Sequence, residues 1–433
     1  MADAPFGANL KSKDYILSGV PVVQGRNIQN NNFQWNNPLY VSQEKKEELK
    51  KHLCKPGDLV FPKVGTIGGC AILPKIEGKD EFVLSTNMMK INVDKTKHSI
   101  KYIYYYFSNP IIQNTIRQYS ASSVQPVFNF TSLKKFPVSI PSIEVQNAIA
   151  SILSSLDDKI ELNNAINKNL EEMAQALFKH WFVDFEFPNE NGEPYKSSGG
   201  EFEESELRLI PKGWRVGTLS DLGEVVGGAT PSKSKEEYYT SRGIPWITPK
   251  DLSINKNKYI SRGQIDITKE GFKSSSTRLV PKGTVLFSSR APIGYISISK
   301  NEMTTNQGFK SLIPFKNIGS EFLYYVLKFN TETIESRASG STFKEISGSE
   351  MKRVPVIIPS FEVVKQFNII VDSIGKMVEK CESESDSLIQ LRNSLLPKLM
   401  SGEIRVPLKQ ENSYFQTFYQ PMAAEKKAQY STT

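Results

Sequence analysis

The sequence predicts an α+β protein in which two pseudo-symmetric globular domains are separated by two long helices forming an antiparallel coiled coil. Three observations predict it. From Ile149 to Trp181 the apolar residues fall on two seven-residue registers, Ile149, Leu156, Leu170 and Leu177 on one and Leu153, Ile160, Ala174 and Trp181 on the other. That spacing is a coiled-coil stripe. The stripe then recurs in the second half of the chain, as Phe367, Ile374, Leu388 and Leu395, with Val371, Val378 and Leu399 on the second register. Finally, nearly the same phrase stands ahead of each stripe, Phe136-Pro-Val-Ser-Ile-Pro-Ser-Ile-Glu-Val145 and Val354-Pro-Val-Ile-Ile-Pro-Ser-Phe-Glu-Val363.

Each phrase carries two prolines, which cannot donate to a ladder or sit inside a helix, so each reads as a short edge strand that stops where a helix begins. Each helix spans roughly 33 residues, on the order of 50 Å at 1.5 Å per residue. A duplicated unit packs on its twin about a pseudo-two-fold axis, and an axis perpendicular to the helices makes the two stripes antiparallel. Mid-helix then faces mid-helix. Asn163 and Asn167 interrupt the first stripe there, and Cys381 and Ser385 the second. The arrangement predicts a polar core layer that fixes register, against the plainer reading of a solvated break.

Ahead of the first helix, residues from Gly19 to Leu133 mix short β-rich runs with turn signals. Lys55-Pro-Gly-Asp58 leads into Leu59-Val-Phe61, and Gly65-Thr-Ile-Gly-Gly69 into Cys70-Ala-Ile-Leu73. Glu44 to Leu53 has helical composition, and Tyr102 to Gln118 reads as a packed helix rather than a base-stacking platform. The second half repeats the order: Gly19-Val-Pro-Val-Val matches Gly243-Ile-Pro-Trp-Ile, Gly65-Thr-Ile-Gly68 matches Ala291-Pro-Ile-Gly294, and Thr86-Asn87 matches Thr305-Asn306. Arg117 with Ser120 to Ser123 likewise answers Arg337 with Ser339 to Thr342. The segment 189–213, rich in Glu, Gly, Ser and Pro, reads as a flexible linker. The expected divisions are a first globular domain at 1–140, a long helix at 141–188, the linker, a second globular domain at 214–358, a long helix at 359–406 and a polar tail at 407–433.

Composition bounds the function without naming it. The 433 residues are 39% hydrophobic and 23% charged, with a net charge of +8, an ordinary globular balance leaning toward an anionic partner. Cys54, Cys70 and Cys381 are odd in number, and His52, His98 and His180 are scattered, so neither a disulfide framework nor a metal site is expected. With no leader-like or membrane-length apolar run, the cytoplasm is the expected location. Gly227-Gly-Ala-Thr-Pro-Ser-Lys-Ser has the wrong spacing for a phosphate loop, and Pro231 removes an amide donor. Asp157, Asp158, Asp184 and Glu186 read as surface and helix-end groups, His180 as a helix-surface residue, and no catalytic residue is expected.

Binding residues are proposed from clustering. Lys233, Lys235, Tyr238, Tyr239 and Arg242 form one polar, aromatic-interleaved stretch, followed by Lys250, Lys256, Lys258 and Arg262. Arg290, Asn306 and Gln307 lie beside turns. The first half offers Lys11, Lys13, Arg26, Asn27, Gln29, Lys63 and Asn87. Lysine and arginine grip phosphates by ion pairing, while arginine, asparagine and glutamine read base edges through paired hydrogen bonds.

With the duplicated Pro-Ser phrases, the Thr-Ile-Gly and Pro-Ile-Gly turns, Pro211-Lys-Gly-Trp214 and Leu395-Leu-Pro-Lys-Leu-Met-Ser-Gly402 in view, the chain resembles the specificity subunit of Type I restriction-modification enzymes. The resemblance covers nearly the whole chain. It implies two target recognition domains, each reading one part of a split, asymmetric double-stranded DNA target, with the helices as a ruler that also docks two modification subunits. Methylation of adenine with S-adenosylmethionine, and cleavage with ATP and magnesium, are expected in the modification and restriction/translocase subunits and not in this chain. One departure is expected: the first half lacks the counterpart of Ile210 to Glu224, where the family has an opening strand. Two other readings are a coiled-coil adaptor that never touches DNA, and a self-contained enzyme acting on DNA.

Overall fold

The computed structural model describes residues 2–3, 10–65, 67–120, 128, 130–136, 138, 140–290, 292–340 and 344–407. The expected tail beyond residue 407, Ala121 to Ser123 of the first polar run, Ser341 and Thr342 of the second, Thr66 and Ala291 of the matched turns, and Pro137 and Ser139 of the first proline phrase lie outside them. Two compact units form, one from residues 1–159 with 388–433 and one from residues 160–387, so each takes a part of both long helices.

In the first unit, Val20–Val23 lies between Leu39–Val41, antiparallel, and Phe82–Leu84, parallel, with Leu53–Cys54 beyond. A second sheet runs Ala2–Asp3, Met88–Ile91, Leu59–Pro62, Ala71–Ile72. The sequence from Tyr102 to Gln118, expected as one helix, forms two, Ile100–Ser108 and Pro110–Ser120. Proline has no N–H to donate inside a helix but is tolerated in the first turn, so the chain restarts at Pro110. Its tyrosines are packed: Tyr102, Tyr105 and Tyr106 are buried among Phe61, Ile116 and Leu133.

The second unit repeats this plan. Ile244–Ile247 lies antiparallel to Asp266–Ile267 and parallel to Thr304–Thr305. A five-stranded sheet runs Gly223–Gly227, Lys310–Pro314, Val285–Phe287, Ile296–Ser299, Tyr259–Ile260. The glycine that opens each matched phrase has a steric reason. A Cβ on Gly19 would overlap the Val41 carbonyl oxygen, and one on Gly243 would lie 2.5 Å from the Ile267 carbonyl oxygen.

Strand pairing corrects one matched motif. Val22 and Val23 pair with Val83 and Leu84, whereas Trp246 and Ile247 pair with Thr304 and Thr305. Asn306 N–H then donates to Ile247 O at 2.9 Å, as Ser85 N–H does to Val23 O at 2.9 Å. The structural counterpart of Asn306 is therefore Ser85, and Asn87 corresponds to Gly308. The shared Thr-Asn dipeptide misaligns the two by two positions, because it begins at the paired residue Thr305 in the second unit but two residues past the paired Leu84 in the first.

The two long helices are Ile143–Phe178 and Phe361–Ser401, of 36 and 41 residues. Each has a glutamate in its first turn, Glu144 and Glu362, favourable to the helix dipole, and the second gives way to Gly402 at φ 77°. Within the second unit they run antiparallel: Asn163 meets Cys381 and Ser385, while Phe178 and Trp181 pack against Phe367 with ring centroids 5.8 and 5.9 Å apart. Within the first unit Asp157 meets Arg392, and Ile149 and Leu153 share a core with Leu396 and Leu399. Of the stripe residues, Ile149, Leu153, Leu170, Phe367, Val371 and Val378 are buried, and Leu156, Ile160, Leu177, Ile374, Leu388 and Leu395 half-buried. The polar layer is core: Asn163 is fully buried, its Nδ2 donating to Glu384 Oε2 at 2.9 Å and to Cys381 O and Ser385 Oγ at 3.4 Å.

Pro355–Ile358, in the second proline phrase, is the expected strand and pairs with Arg215–Thr218. The segment 189–213, expected to be flexible, is folded. Tyr195 stacks on Phe187 and Phe187 on Trp214, at 4.6 and 4.9 Å, and Phe202–Glu203 pairs with Ile210–Pro211. Its Gly and Ser residues suggested a linker, but aromatics set well apart in sequence collapse onto one cluster, and their burial outweighs local composition.

Candidate nucleic-acid interface

In the second unit the loop from Gly227 to Arg242 is pinned at its base and open at its tip. Ala229 N–H donates to Thr305 O, and Trp246 Nε1 donates to Ala229 O, both at 3.0 Å. Tyr239 OH donates to Pro231 O at 2.6 Å, and Thr230 Oγ1 to the Gln307 side chain. Gly228 lies so close to the Thr305 and Asn306 carbonyls that any Cβ would overlap them. Close packing, rather than a phosphate cradle, thus accounts for the glycine run. Thr230 and Trp246 are the site residues that sequence reasoning missed, and the adjoining glycines were their only signal.

Beyond this base Lys233, Lys235 and Arg242 are exposed, with Lys235 Nζ 5.1 Å from the Tyr238 ring centroid. Tyr238 and Tyr239 are half-buried. Lys250, in the short helix Pro249–Ile254, and Lys256 just after it are exposed too. Among the described residues Lys233, Arg242, Lys250 and Lys256 make no ion pair. Unpaired exposed cations are the groups that can meet phosphates without first giving up a partner. Gln307 is exposed, whereas Asn306 accepts from Gly308 N–H at 2.9 Å and shapes the turn. Ser289 N–H donates to Gly308 O at 2.8 Å, which brings the neighbouring Arg290 to the same turn. Arg290 is 3.7 Å from Glu345, and Arg262 pairs with Asp266.

Lys258 is a correction. Its side chain is only 4% exposed and its Nζ is 2.6 Å from Glu321 Oε2, so it does not reach the surface. It sits two residues after Lys256, but strand pairing turns it inward beside Ile296–Ser299.

In the first unit Lys11 and Lys13 are exposed around a short helical turn, Ser12–Asp14. Arg26 is exposed and donates to Asn37 O at 2.8 Å, and Gln29 donates to Arg26 O at 3.2 Å. Asn27 is a second correction: it is 2% exposed, accepts from Gln24 N–H at 2.8 Å and donates to Gln34 O at 2.9 Å. Its amide closes a loop and is spent on the backbone. Lys63 N–H donates to Asn87 O at 2.8 Å, which joins these two candidates at one turn with Asn87 exposed. Asp157 also departs from its surface reading, accepting from Tyr105 OH and pairing with Arg392, both at 2.6 Å. Among the described residues no group of three or more His, Cys, Asp or Glu is placed to hold a metal ion, and no helix is long and apolar enough to cross a membrane.

The model of the Type I restriction modification DNA specificity domain matches this chain twice, over residues 5–172 and 211–388. A specificity subunit of the Type I restriction enzyme HindI from Haemophilus influenzae is 28% identical over 412 residues, covering 82% of this chain and 88% of the relative. The MjaIX specificity subunit of Methanocaldococcus jannaschii is 44% identical over 190 residues, but that match spans only 43% of this chain and 44% of the relative. Among solved structures, a Type I restriction-modification S subunit from M. genitalium is similar with a TM-score of 0.51 at 17% identity, covering 89% of this chain and 93% of that one.

Proposed function

Because the chain belongs to the Type I restriction modification DNA specificity family, we propose that it is the sequence-reading, non-catalytic subunit of a DNA methyltransferase and restriction complex. Each half carries one recognition domain, bounded near residues 1–140 and 214–358, and each domain reads one part of a bipartite, asymmetric double-stranded target. The long helices set the spacing of the two parts and dock two modification subunits. Adenine methylation with S-adenosylmethionine, and ATP- and magnesium-dependent translocation and cleavage, belong to those modification subunits and to the restriction subunits. The complex works in the cytoplasm.

The observation that carries this reading is that the family match occurs twice and each copy runs into one of two antiparallel helices. Two similar readers joined by an antiparallel pair suit a target in two parts, since DNA-binding modules engage half-sites separated by about 34 Å or a multiple of it. The exposed unpaired cations of the 233–256 region supply sequence-independent grip, and Gln307 and Arg290 at the neighbouring turn suit base reading.

The test is to co-express this chain with its methyltransferase partner in a host lacking both and to map methylated adenines by single-molecule sequencing. The expected result is a split motif with a fixed spacer. A motif with one specified part removes one domain from the reading. No methylation by an assembled complex leaves the adaptor reading in its place.

A further inference from the structure

A buried polar lattice fastens the body of the second recognition domain to the helices within residues 160–387. Lys258 Nζ lies 2.6 Å from Glu321 Oε2 and 3.4 Å from Glu171 Oε2, and it donates to Tyr325 OH at 2.8 Å. The rings of Tyr324 and Tyr325 flank it, with centroids 4.6 and 4.5 Å away. Its own backbone N–H and that of Tyr259 donate to the two oxygens of Glu382 at 2.6 and 3.1 Å. Glu171 belongs to the first long helix and Glu382 to the second, while Glu321, Tyr325 and Lys328 lie on the domain's helix Ser320–Phe329. Glu171 is held further by Tyr325 OH at 2.8 Å and Lys328 Nζ at 2.7 Å. One lysine thus ties the domain to both helices.

Apolar packing also joins the domain to the helices, through Phe178, Phe322 and Phe367. Such packing is non-directional and tolerates small tilts. A buried charge does not. Removed from its partners in the interior it is strongly unfavourable, so a lattice of this kind penalises every attitude but one. The first unit is fastened through a different ion pair, Asp157 of the first long helix with Arg392 of the second. Its tyrosines at the same helix positions meet different groups: Tyr104 OH donates to Asn31 O at 3.1 Å, and Tyr105 OH donates to Asp157.

We propose that Lys258 is a positioning residue: through Glu171, Glu321 and Glu382 it fixes the attitude of the second recognition domain on its helix pair, and so the phase at which the second half-target is read. This rests on the split-target reading above. Lys258 itself touches no DNA.

The experiment uses the complex of the full chain with its methyltransferase subunits, and duplexes carrying the mapped target with its natural spacer or with one base pair added or removed. Two variants are compared with wild type, Lys258→Met, and Lys258→Met combined with Glu321→Gln so that no unpaired carboxylate opposes folding. The variant scored is the one whose unfolding midpoint stays closest to wild type. It is expected to narrow the preference for the natural spacer by about tenfold, a loss of the size of one mismatched base pair. Affinity for a duplex holding only the first half-target is expected to stay unchanged. A folded variant as strict about the spacer as wild type overturns the positioning role, as does an equal loss at both half-targets. A wild-type complex indifferent to spacer length overturns the split-target reading and this one with it.

Discussion

Gly375 of the second long helix faces Tyr259 so closely that a methyl group there would overlap the tyrosine hydroxyl and lie 2.7 Å from Glu321 Oε1. Tyr259 OH in turn donates to Glu321. Glycine inside a helix normally costs about 1 kcal/mol relative to alanine. Here that expectation reverses, because the space belongs to the lattice around Lys258. Gly375→Ala is expected to destabilise the protein by about 1–3 kcal/mol, the usual penalty of overpacking. Urea denaturation measures it, and a gain in stability contradicts the close approach.

The same lattice predicts a pH dependence. Burial pushes the Glu382 carboxyl up from 4.5 to about 7, with the Lys258 and Tyr259 amides, Lys300 and Lys258 offsetting only part of the shift. A carboxyl raised in the folded state makes folding take up a proton. Its stabilising effect is complete below about 4.5 and is lost as pH rises through 7. Burial raises Glu321 as well, against the pull of Lys258. Glu171 goes the other way: burial raises it, but Lys258 and Lys328 together bring it below the ordinary value, so its contribution falls away only in acid. Glu382→Gln is expected to flatten the fall in stability between pH 4.5 and 7. Unfolding free energies across that range test it, and an unchanged slope excludes Glu382 as the titrating group.

The buried Asn163 offers a smaller effect. Asn163→Ala removes the donor to Glu384, Cys381 and Ser385 and leaves a gap in the helix pair. A loss of about 1–3 kcal/mol is expected, the range for removing one side of a buried hydrogen bond. Chemical unfolding of the variant is the measurement.

Surface and buried lysines should separate cleanly in binding. Lys233→Ala, Arg242→Ala or Lys250→Ala is expected to leave the unfolding midpoint unchanged and to lower the salt dependence of DNA binding. Removing one cation that pairs with a phosphate reduces the logarithmic slope by about 0.9. Lys258→Ala should do the reverse, lowering stability with an unchanged slope. Anisotropy titrations of the methyltransferase complex from about 50 to 200 mM salt distinguish the two classes. Equal slopes for wild type and all three surface variants remove the loop from the interface.

Local pattern determined a large share of this protein. The heptad spacing of Ile149, Leu153, Phe367 and Val371, the proline phrases and the Gly-x-Pro openings are repeats that a chain carries in its order alone. From them follow the duplication, the two helices, their antiparallel sense and the polar layer at Asn163. The exposed cations at Lys233, Arg242 and Lys250 were legible for the same reason, since a charged loop between strands has nowhere to go but the surface. Tertiary structure decided the rest. Lys256 and Lys258 look alike in the sequence, yet one is exposed and the other is buried among Glu171, Glu321 and Glu382, because a parallel strand partner and two distant helices set which side faces inward. Asn306 answers Ser85 rather than Asn87, because hydrogen-bond register and not residue identity defines equivalence. The segment 189–213 folds because Phe187, Tyr195 and Trp214 meet in space. Burial and partnership are sums over residues far apart in the chain, and no local window contains them.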